Sequence, residues 1–331
     1  MWWLFRAMVL WLALAGAASA QEARQAPATG ESVIERPLPP ADWTSIPGPY
    51  VTLHGPVERT DLLLRLARHG AESASALSDA LGVPIGGAID VYVAPTQQAY
   101  IDVQPHGRPP EYADANAWPR LGLVVLRDPR IRIATDEPLE QVLDHELVHV
   151  ILGRAFEPAQ PPRWLQEGAA QLLAHQDGPE TVQVLRQAAL SGRLYHLETL
   201  ERGFPHQGAL ARMAYAVSLD FIQYLHAEYD PEALPKLVQG ALKGRTLAHS
   251  IETLTGKPLD EVEADWRRPY ERPGFSMAFL ADLGTGVFWI GGVALLIGGI
   301  FRRRQFRRRL AEMEAEERLV DDVLEAMRTR R

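Results

Sequence analysis

One stretch near the carboxyl end of the chain constrains its topology more than any other feature. Residues 283–301 form a run of 19 residues without a charged side chain. As a helix this run would be about 28 Å long, close to the roughly 30 Å hydrocarbon thickness of a bilayer. Six arginines follow between residues 302 and 309, which is typical of the cytoplasmic side of a membrane span. The sequence therefore predicts a transmembrane helix at 283–301, with a buried core helix as the alternative.

The first 20 residues have the pattern of a secretory signal peptide. Arg6 supplies the positive charge, residues 8–17 are apolar, and residues 18–20 form a cleavage site of small residues. The alternative is an uncleaved anchor. With the predicted span, this pattern places the body outside the cytoplasm and the tail, residues 302–331, inside. For a bacterial chain we expect a single-pass protein of the inner membrane with a periplasmic body.

The predicted span also suggests how two copies would associate. Gly284, Gly291 and Gly298 recur every seven residues and give the span a smooth face for close helix packing. We therefore hold a homodimer as a hypothesis. The tail that follows is first basic and then amphipathic, which favours a short helix near the membrane or against a partner.

Charge and cysteine content narrow the classes of function. The chain has no cysteine, so cysteine nucleophiles, disulfides and thiolate metal sites are excluded. Its net charge is −8, although residues 302–331 contain ten Arg against seven acidic residues. The body of the protein is therefore acidic, which argues against nucleic acid as a partner because phosphate binding needs a positive surface.

The order of predicted elements indicates an α+β fold. Residues 21–49 contain six prolines and predict a linker before a body at 50–270. A helix is predicted at 57–81, followed by strands at 89–94, 121–126 and 130–134. The rest of the body is predicted to be helical, with helices at about 138–153, 163–175, 179–191, 208–228, 231–242 and 259–268. A small mixed sheet followed by helices is the expected architecture.

A short motif in the helix predicted at 138–153 carries the chemistry. His145-Glu146-Leu147-Val148-His149 has the H-E-x-x-H pattern. Its four-residue spacing puts both imidazoles on one face of a helix, where they can share a zinc ion. Glu146 lies beside them, in position to accept a proton from a water molecule that the metal activates.

The third ligand distinguishes the possible kinds of site. The metzincin pattern needs Gly and His at positions occupied here by Leu152 and Ala155, so that pattern fails. A carboxylate remains open as the third ligand. Glu167 is such a carboxylate, eighteen residues after His149 in the segment Trp164-Leu165-Gln166-Glu167-Gly168-Ala169-Ala170.

These two segments together resemble the gluzincin metallopeptidases, the thermolysin and aminopeptidase N group, and especially the small peptidase MA-like domains. The resemblance covers about residues 50–270. It implies a zincin-like domain with one Zn²⁺ ion per chain, held by His145, His149 and Glu167. It also implies that Glu146 is the general base. In thermolysin-like enzymes an Asp one turn after the glutamate orients a ligand; here that position is Gln171, whose amide oxygen is expected to replace it.

The resemblance suggests two further features of catalysis. Tyr215, in a downstream helix, is the candidate donor to the developing oxyanion, with a packed core tyrosine as the alternative. His206 and Arg212 are weaker candidates for the same role. The strand at 121–126 is expected to be the sheet edge that pairs with an extended substrate.

The sequence thus predicts a membrane-anchored, extracytoplasmic zinc peptidase that hydrolyses proteins or peptides. An endopeptidase is favoured because the G-x-M-E-N signature of aminopeptidases is absent. The alternative is a non-catalytic scaffold or binding protein that keeps the zincin fold. The presence of Glu146 argues against that alternative, because a zincin that has lost catalysis typically lacks the general base.

Overall fold

A computed structural model describes residues 35–105, 113–133, 136–176, 178–205 and 208–271. The predicted signal peptide, the membrane span, the tail and most of the linker lie outside these ranges. None of the helices within them combines the length and the apolar character that a bilayer crossing requires.

The first half of the described chain forms a five-stranded sheet. In chain order the strands are β1 (Trp43–Ile46), β2 (Val51–Pro56), β3 (Ile89–Ala94), β4 (Ala115–Trp118) and β5 (Leu123–Arg127). Their order across the sheet is β1-β2-β3-β5-β4. The three central strands are parallel to one another, whereas β1 and β4 pair antiparallel at the two edges. The sheet is therefore small and mixed.

Helices make up most of the remaining structure, and they dominate after the sheet. They are α1 (Thr60–Leu81), α2 (Gln97–Asp102), α3 (Leu139–Phe156), α4 (Arg163–Leu173), α5 (Pro179–Leu190), α6 (Leu197–Arg202), α7 (Gly208–Glu228), α8 (Ala233–Leu242), α9 (Leu247–Thr255) and α10 (Leu259–Glu271). Every long helix predicted from the sequence corresponds to one of these. The predicted α+β arrangement, a small sheet followed by helices, is confirmed.

Side chains alternate between the two faces of the sheet along each strand, and the two faces contact different clusters of residues. On β3, Val91 and Val93 belong to the main core, which also contains buried residues of α1 and α3. Tyr92 and Ala94 point the other way, into a small second cluster with Tyr100 of α2. Most of the buried apolar side chains therefore lie between the sheet and the helices. Helix α3 contributes many of them to the main core.

The sheet differs from the prediction in four ways, one of which is that no strand was predicted where β2 lies. Strand β1 lies inside the segment predicted as linker, so the folded body begins before residue 50. Of the strand predicted at 130–134, the described residues 130–133 do not form a strand; Pro129–Ile131 is a 3-10 turn instead. The reason is that side chains take up the backbone donors there. Asp128 Oδ1 accepts from the Arg130 amide at 2.9 Å, and Asp114 Oδ1 accepts from the Ile133 amide at 2.8 Å.

The fourth difference concerns the sheet edge. The strand predicted at 121–126 is β5, which pairs on one side with β3 and on the other with β4. It is therefore internal, and the prediction that it pairs with substrate is wrong. The edge belongs to β4, a strand that the sequence analysis missed because its four residues include two alanines and an asparagine, which are poor strand formers.

Candidate metal centre and cleft

The residues of the H-E-x-x-H motif meet Glu167 at the junction of α3 and α4. Nε2 of His145 lies 3.4 Å and Nε2 of His149 lies 3.5 Å from the same oxygen, Oε2 of Glu167. The donor atoms of the three side chains all lie within 4.8 Å of one another. Two imidazoles and one carboxylate thus converge on one point, as the sequence predicts for a zinc site.

Helix α3 is anchored in the main core by its apolar side, which leaves the histidines of the motif on the other side. Leu143, Leu147 and Ile151 are fully buried in the main core, on the side of the helix away from the histidines. His145 is partly buried and His149 is buried, and both face α4. The apolar side holds the helix in place while the motif faces the cleft.

Helix α4 brings Glu167 to the histidines through close packing on α7. A Cβ atom added to Gly168 would lie 2.4 Å from the carbonyl oxygen of Ser218 in α7. Only glycine allows this approach, and Glu167 is the residue directly before it. The motif Glu167-Gly168 thus combines a ligand with the contact that positions it.

One histidine is oriented by a neighbouring amide. Nδ1 of His145 lies 2.7 Å from Oε1 of Gln176, and Nε2 of Gln176 donates to Glu137 Oε2 at 2.7 Å. Since the amide oxygen can only accept, Nδ1 carries the proton. In the neutral imidazole the lone pair of His145 is therefore on Nε2, the atom that faces Glu167, and this is the form that binds a metal.

The residue predicted for this orienting role was Gln171, and that prediction is wrong. Nε2 of Gln171 donates to the backbone carbonyls of Glu167, at 3.1 Å, and Tyr215, at 3.0 Å. Its amide nitrogen therefore joins α4 to α7, whereas the bond to His145 Nδ1 comes from Gln176. Gln176 was missed because it follows α4 and comes near His145 only through the tertiary fold.

One polar atom of the site indicates that its donor set suits a cation. Among the described residues, Oε2 of Glu167 is buried without a hydrogen-bond partner, with the two imidazole nitrogens 3.4 and 3.5 Å away. A buried carboxylate oxygen without a donor is costly, and a cation in contact with it removes that cost. Two imidazole nitrogens and a carboxylate oxygen are also ligands that zinc prefers. The residues present therefore fit a zinc ion.

The two buried carboxylates of the site differ in acidity. Burial raises the pKa of Glu146. Burial also acts to raise the pKa of Glu167, but His149, His145 and Arg163 outweigh it and hold that pKa well below the usual value. Burial acts to lower the pKa of His145, but the attraction of Glu167 prevails and raises it to about 9. Glu167 is thus kept as an anion, while Glu146 is the more basic carboxylate.

The three candidate ligands, His145, His149 and Glu167, lie in the lining of a cleft of about 610 Å³. The edge strand β4 forms one wall, and Arg163 and Tyr215 are also in the lining. A neighbouring cavity of about 420 Å³ shares His145 and Tyr215 with the cleft and includes Arg212. The cleft and the neighbouring cavity therefore adjoin at His145 and Tyr215.

The structure places the predicted catalytic residues as follows. Glu146 lines the cleft beside the two histidines. Tyr215 also lines it, with its ring edge-on to Phe204 at 5.3 Å between centroids. Arg212 lies in the neighbouring cavity, and His206 is outside the described residues.

Arg163 is a site residue that the sequence analysis missed. Its Nη2 lies 2.9 Å from Oε1 of Glu167, the carboxylate oxygen that does not face the histidines. Its position four residues before Glu167 in the same helix is a signal that could have identified it, because residues at this spacing are neighbours on a helix.

Comparison with known proteins places the chain in a family. A family model described as the peptidase MA superfamily matches residues 71–270. The chain belongs to the peptidase MA superfamily. The matched segment contains the whole of α3 and α4 and ends in α10, so it includes all three residues of the candidate metal centre. No curated protein matches the chain. As a peptidase MA domain, this protein is a peptidase of a typically metal-dependent superfamily, whose substrates are proteins or peptides.

Proposed function

We propose that this protein is a zinc-dependent peptidase of the gluzincin type. The observation that carries the proposal is the convergence of His145, His149 and Glu167, whose donor atoms lie within 4.8 Å of one another in the cleft. A carboxylate as third ligand is the gluzincin arrangement, whereas metzincins use a third histidine. The peptidase MA match supports the class of reaction.

The zinc ion would be held by Nε2 of both histidines and by Oε2 of Glu167. When bound, it supplies Lewis acidity that polarises a peptide carbonyl and lowers the pKa of water. Glu146 is the residue that takes the proton of the attacking water and passes it to the leaving amine. Its burial suits this role, because a carboxylate with a raised pKa is a better proton acceptor near neutral pH.

Tyr215 is the proposed hydrogen-bond donor to the developing oxyanion. It lines the same cleft as Glu146, and its ring packs edge-on against the buried ring of Phe204. This contact restrains the ring, which suits a donor that must be oriented before the reaction. A packed tyrosine without a catalytic role is the alternative, and the variant Tyr215→Phe separates the two by its effect on turnover.

The proposed substrate is an extended segment of a protein or peptide. Strand β4 lies at the edge of the sheet that the described residues form and borders the cleft, so we propose that its outer backbone groups pair with a substrate strand. A second cavity adjoins the cleft at His145 and Tyr215, and we propose that the two together hold chain on both sides of the cleaved bond, as an endopeptidase requires.

The proposed location is the outer side of a bacterial inner membrane. It rests on the signal-peptide pattern of residues 1–20 and on the apolar run at 283–301, followed by its arginines. A zinc peptidase held in this way would act on substrates close to the membrane surface. A homodimer through Gly284, Gly291 and Gly298 remains part of the proposal.

The test is metal content and hydrolysis measured on the same preparations of the full-length protein. We expect about one zinc per chain by elemental analysis, and cleavage of an unfolded protein that stops with a chelator and returns with zinc. The variant Glu167→Ala should lose both zinc and cleavage. Zinc without cleavage would favour the non-catalytic scaffold, and no zinc in the wild type would refute the proposal.

A further inference from the structure

The two oxygens of the Glu167 carboxylate have different surroundings. Oε2 faces the two imidazoles, at 3.4 Å from His145 and 3.5 Å from His149. Oε1 faces away from them and forms an ion pair with Nη2 of Arg163 at 2.9 Å. The carboxylate therefore has one oxygen directed at the candidate metal centre and one paired with the half-exposed guanidinium of Arg163.

Arg163 is held in this position from two sides. It lies four residues before Glu167 in α4, so the helix itself brings the two side chains together. Its guanidinium also lies over the ring of Phe204, with Cζ 5.8 Å from the ring centroid. Phe204 is buried and in turn contacts the ring of Tyr215. Arg163 is thus braced by an aromatic pair in addition to its ion pair.

This arrangement has a consequence for the number of ligand atoms. A carboxylate can bind a metal through one oxygen or through both. With Oε1 paired to Arg163, only Oε2 is available, so the protein supplies three ligand atoms in total. Three protein ligands are what a catalytic zinc site needs, since the fourth position must stay open for water or substrate.

We propose that Arg163 is a positioning residue that restricts Glu167 to binding zinc through one oxygen. This inference rests on the proposed zinc site. Arg163 acts through Glu167 and need not touch substrate. The role resembles that of groups that orient metal ligands in other sites, where loss of such a partner typically weakens metal binding by about 10- to 100-fold.

The experiment measures metal binding without reference to turnover. Zinc affinity of the full-length protein is determined by competition with a chromophoric chelator, and the visible spectrum of the Co²⁺-substituted protein reports the coordination number. For Arg163→Gln we expect zinc binding about 10- to 100-fold weaker. We also expect a fainter cobalt spectrum, because a carboxylate that binds through both oxygens raises the coordination number.

Two further variants control for charge and folding. Arg163→Lys keeps a cation beside Oε1 and should recover part of the lost affinity. Arg120→Gln removes a different arginine from the lining of the same cleft, one that bonds to the Pro158 carbonyl, and should leave zinc affinity unchanged. If Arg120→Gln weakened zinc as much as Arg163→Gln, a general loss of positive charge would explain the effect and the inference would be wrong.

The outcomes separate this inference from the proposed function. Glu167→Ala should abolish zinc binding whatever Arg163 does. If Glu167→Ala loses zinc while Arg163→Gln keeps wild-type affinity and an unchanged cobalt spectrum, the role of Arg163 is refuted and the zinc site stands. If Glu167→Ala itself binds zinc normally, the site is not formed by these residues and both proposals fail.

Discussion

At the scale of single residues, two buried glutamates in one site are given different tasks by their neighbours. Glu167 faces His145 and His149 and pairs with Arg163, so its charge is compensated and its pKa is low. Burial dominates for Glu146, and its pKa is raised. One carboxylate is thereby suited to bind a cation and the other to accept a proton.

The variant Glu146→Gln tests this division of tasks. The amide keeps the shape of the side chain but cannot accept the proton, so we expect hydrolysis to fall by about 100- to 10,000-fold with zinc content unchanged. His149→Ala should lose both zinc and hydrolysis. Elemental analysis and a peptidase assay on the same samples check the prediction. Wild-type activity in Glu146→Gln would exclude Glu146 as the general base.

The variant Gln176→Ala tests the hydrogen bond that orients His145. Its loss frees the imidazole to rotate, and we expect zinc affinity to fall by about 10-fold or more. The matched control is Gln141→Ala, because Gln141 bonds to the carbonyls of Ala174 and His175 at 2.8 and 2.9 Å but to no ligand. Equal losses in both variants would mean that this segment acts through general rigidity and not through His145. Chelator competition measures both affinities.

At the scale of elements, the metal centre depends on how α4 packs against α7. The two helices approach closely at Gly168, where a Cβ atom would also lie 2.8 Å from Cγ1 of Ile222. The neighbouring Trp164 and the α10 residue Trp266 pack edge-on against Phe221 of α7, at 5.3 and 5.6 Å between ring centroids. These aromatic contacts fix α4 on α7, and α4 in turn fixes Glu167.

The variant Gly168→Ala should disturb this packing. The added methyl group must push α4 away from a backbone carbonyl, which we expect to cost about 1–3 kcal/mol of unfolding free energy and to weaken zinc binding. Gly178→Ala is the control, since no atom lies within 4 Å of its added Cβ. Urea denaturation of both variants measures the difference. A Gly168→Ala protein as stable as wild type would show that α4 can shift without cost.

A second contact between elements makes stability depend on pH. Nε2 of His69 in α1 lies 2.8 Å from Oδ1 of Asp144 in α3. The hydrogen bond to Asp144 raises the pKa of His69 above 6.5. The stabilisation is therefore fully present below pH 6.5 and is lost as the pH rises through the higher pKa of the folded protein.

The variant His69→Gln should thus lose stability at low pH and approach wild type at high pH. We expect a difference of about 0.5 kcal/mol, because the pair is partly exposed. Denaturant unfolding at several pH values checks this, with the exposed His249→Gln as control. A difference that does not decrease with rising pH would contradict the assignment.

At the scale of the whole molecule, the cleft lies where the sheet meets the helical part. Strand β4 belongs to the sheet, α3 crosses the main core, and Glu167 comes from α4. A bound ion would join α3 to α4 by ligating His145 and His149 of α3 and Glu167 of α4. Metal binding should therefore contribute to the stability of the folded protein as well as to catalysis.

Metal removal tests this expectation. At a free zinc concentration about 100 times the dissociation constant, linkage predicts about 2.7 kcal/mol of added stability over the metal-free protein. Unfolding of the full-length protein with zinc and with chelator measures the difference. Glu167→Ala should show no such dependence. Equal zinc-dependent stabilisation of the variant would place the ion elsewhere.

The sequence by itself determined the parts of this protein that depend on local spacing. Long helices have an apolar period that can be read directly, and His145 and His149 share a helix face at any point in a fold. Glu167 was identified with help from the resemblance to a known family, since its distance from the motif is set by a loop. The predicted signal peptide and span likewise rest on local composition.

Only the tertiary structure decided which distant residues meet. It placed β4 at the sheet edge in place of the strand predicted at 121–126, because strand order depends on pairing between segments far apart in the chain. It showed that Gln176, and not Gln171, forms the hydrogen bond with Nδ1 of His145. Such a bond depends on atomic positions to a fraction of an ångström, which spacing in the sequence does not determine. It also showed that Oε1 of Glu167 is paired with Arg163. Spacing limits which residues can be neighbours, but packing decides which atoms are in contact.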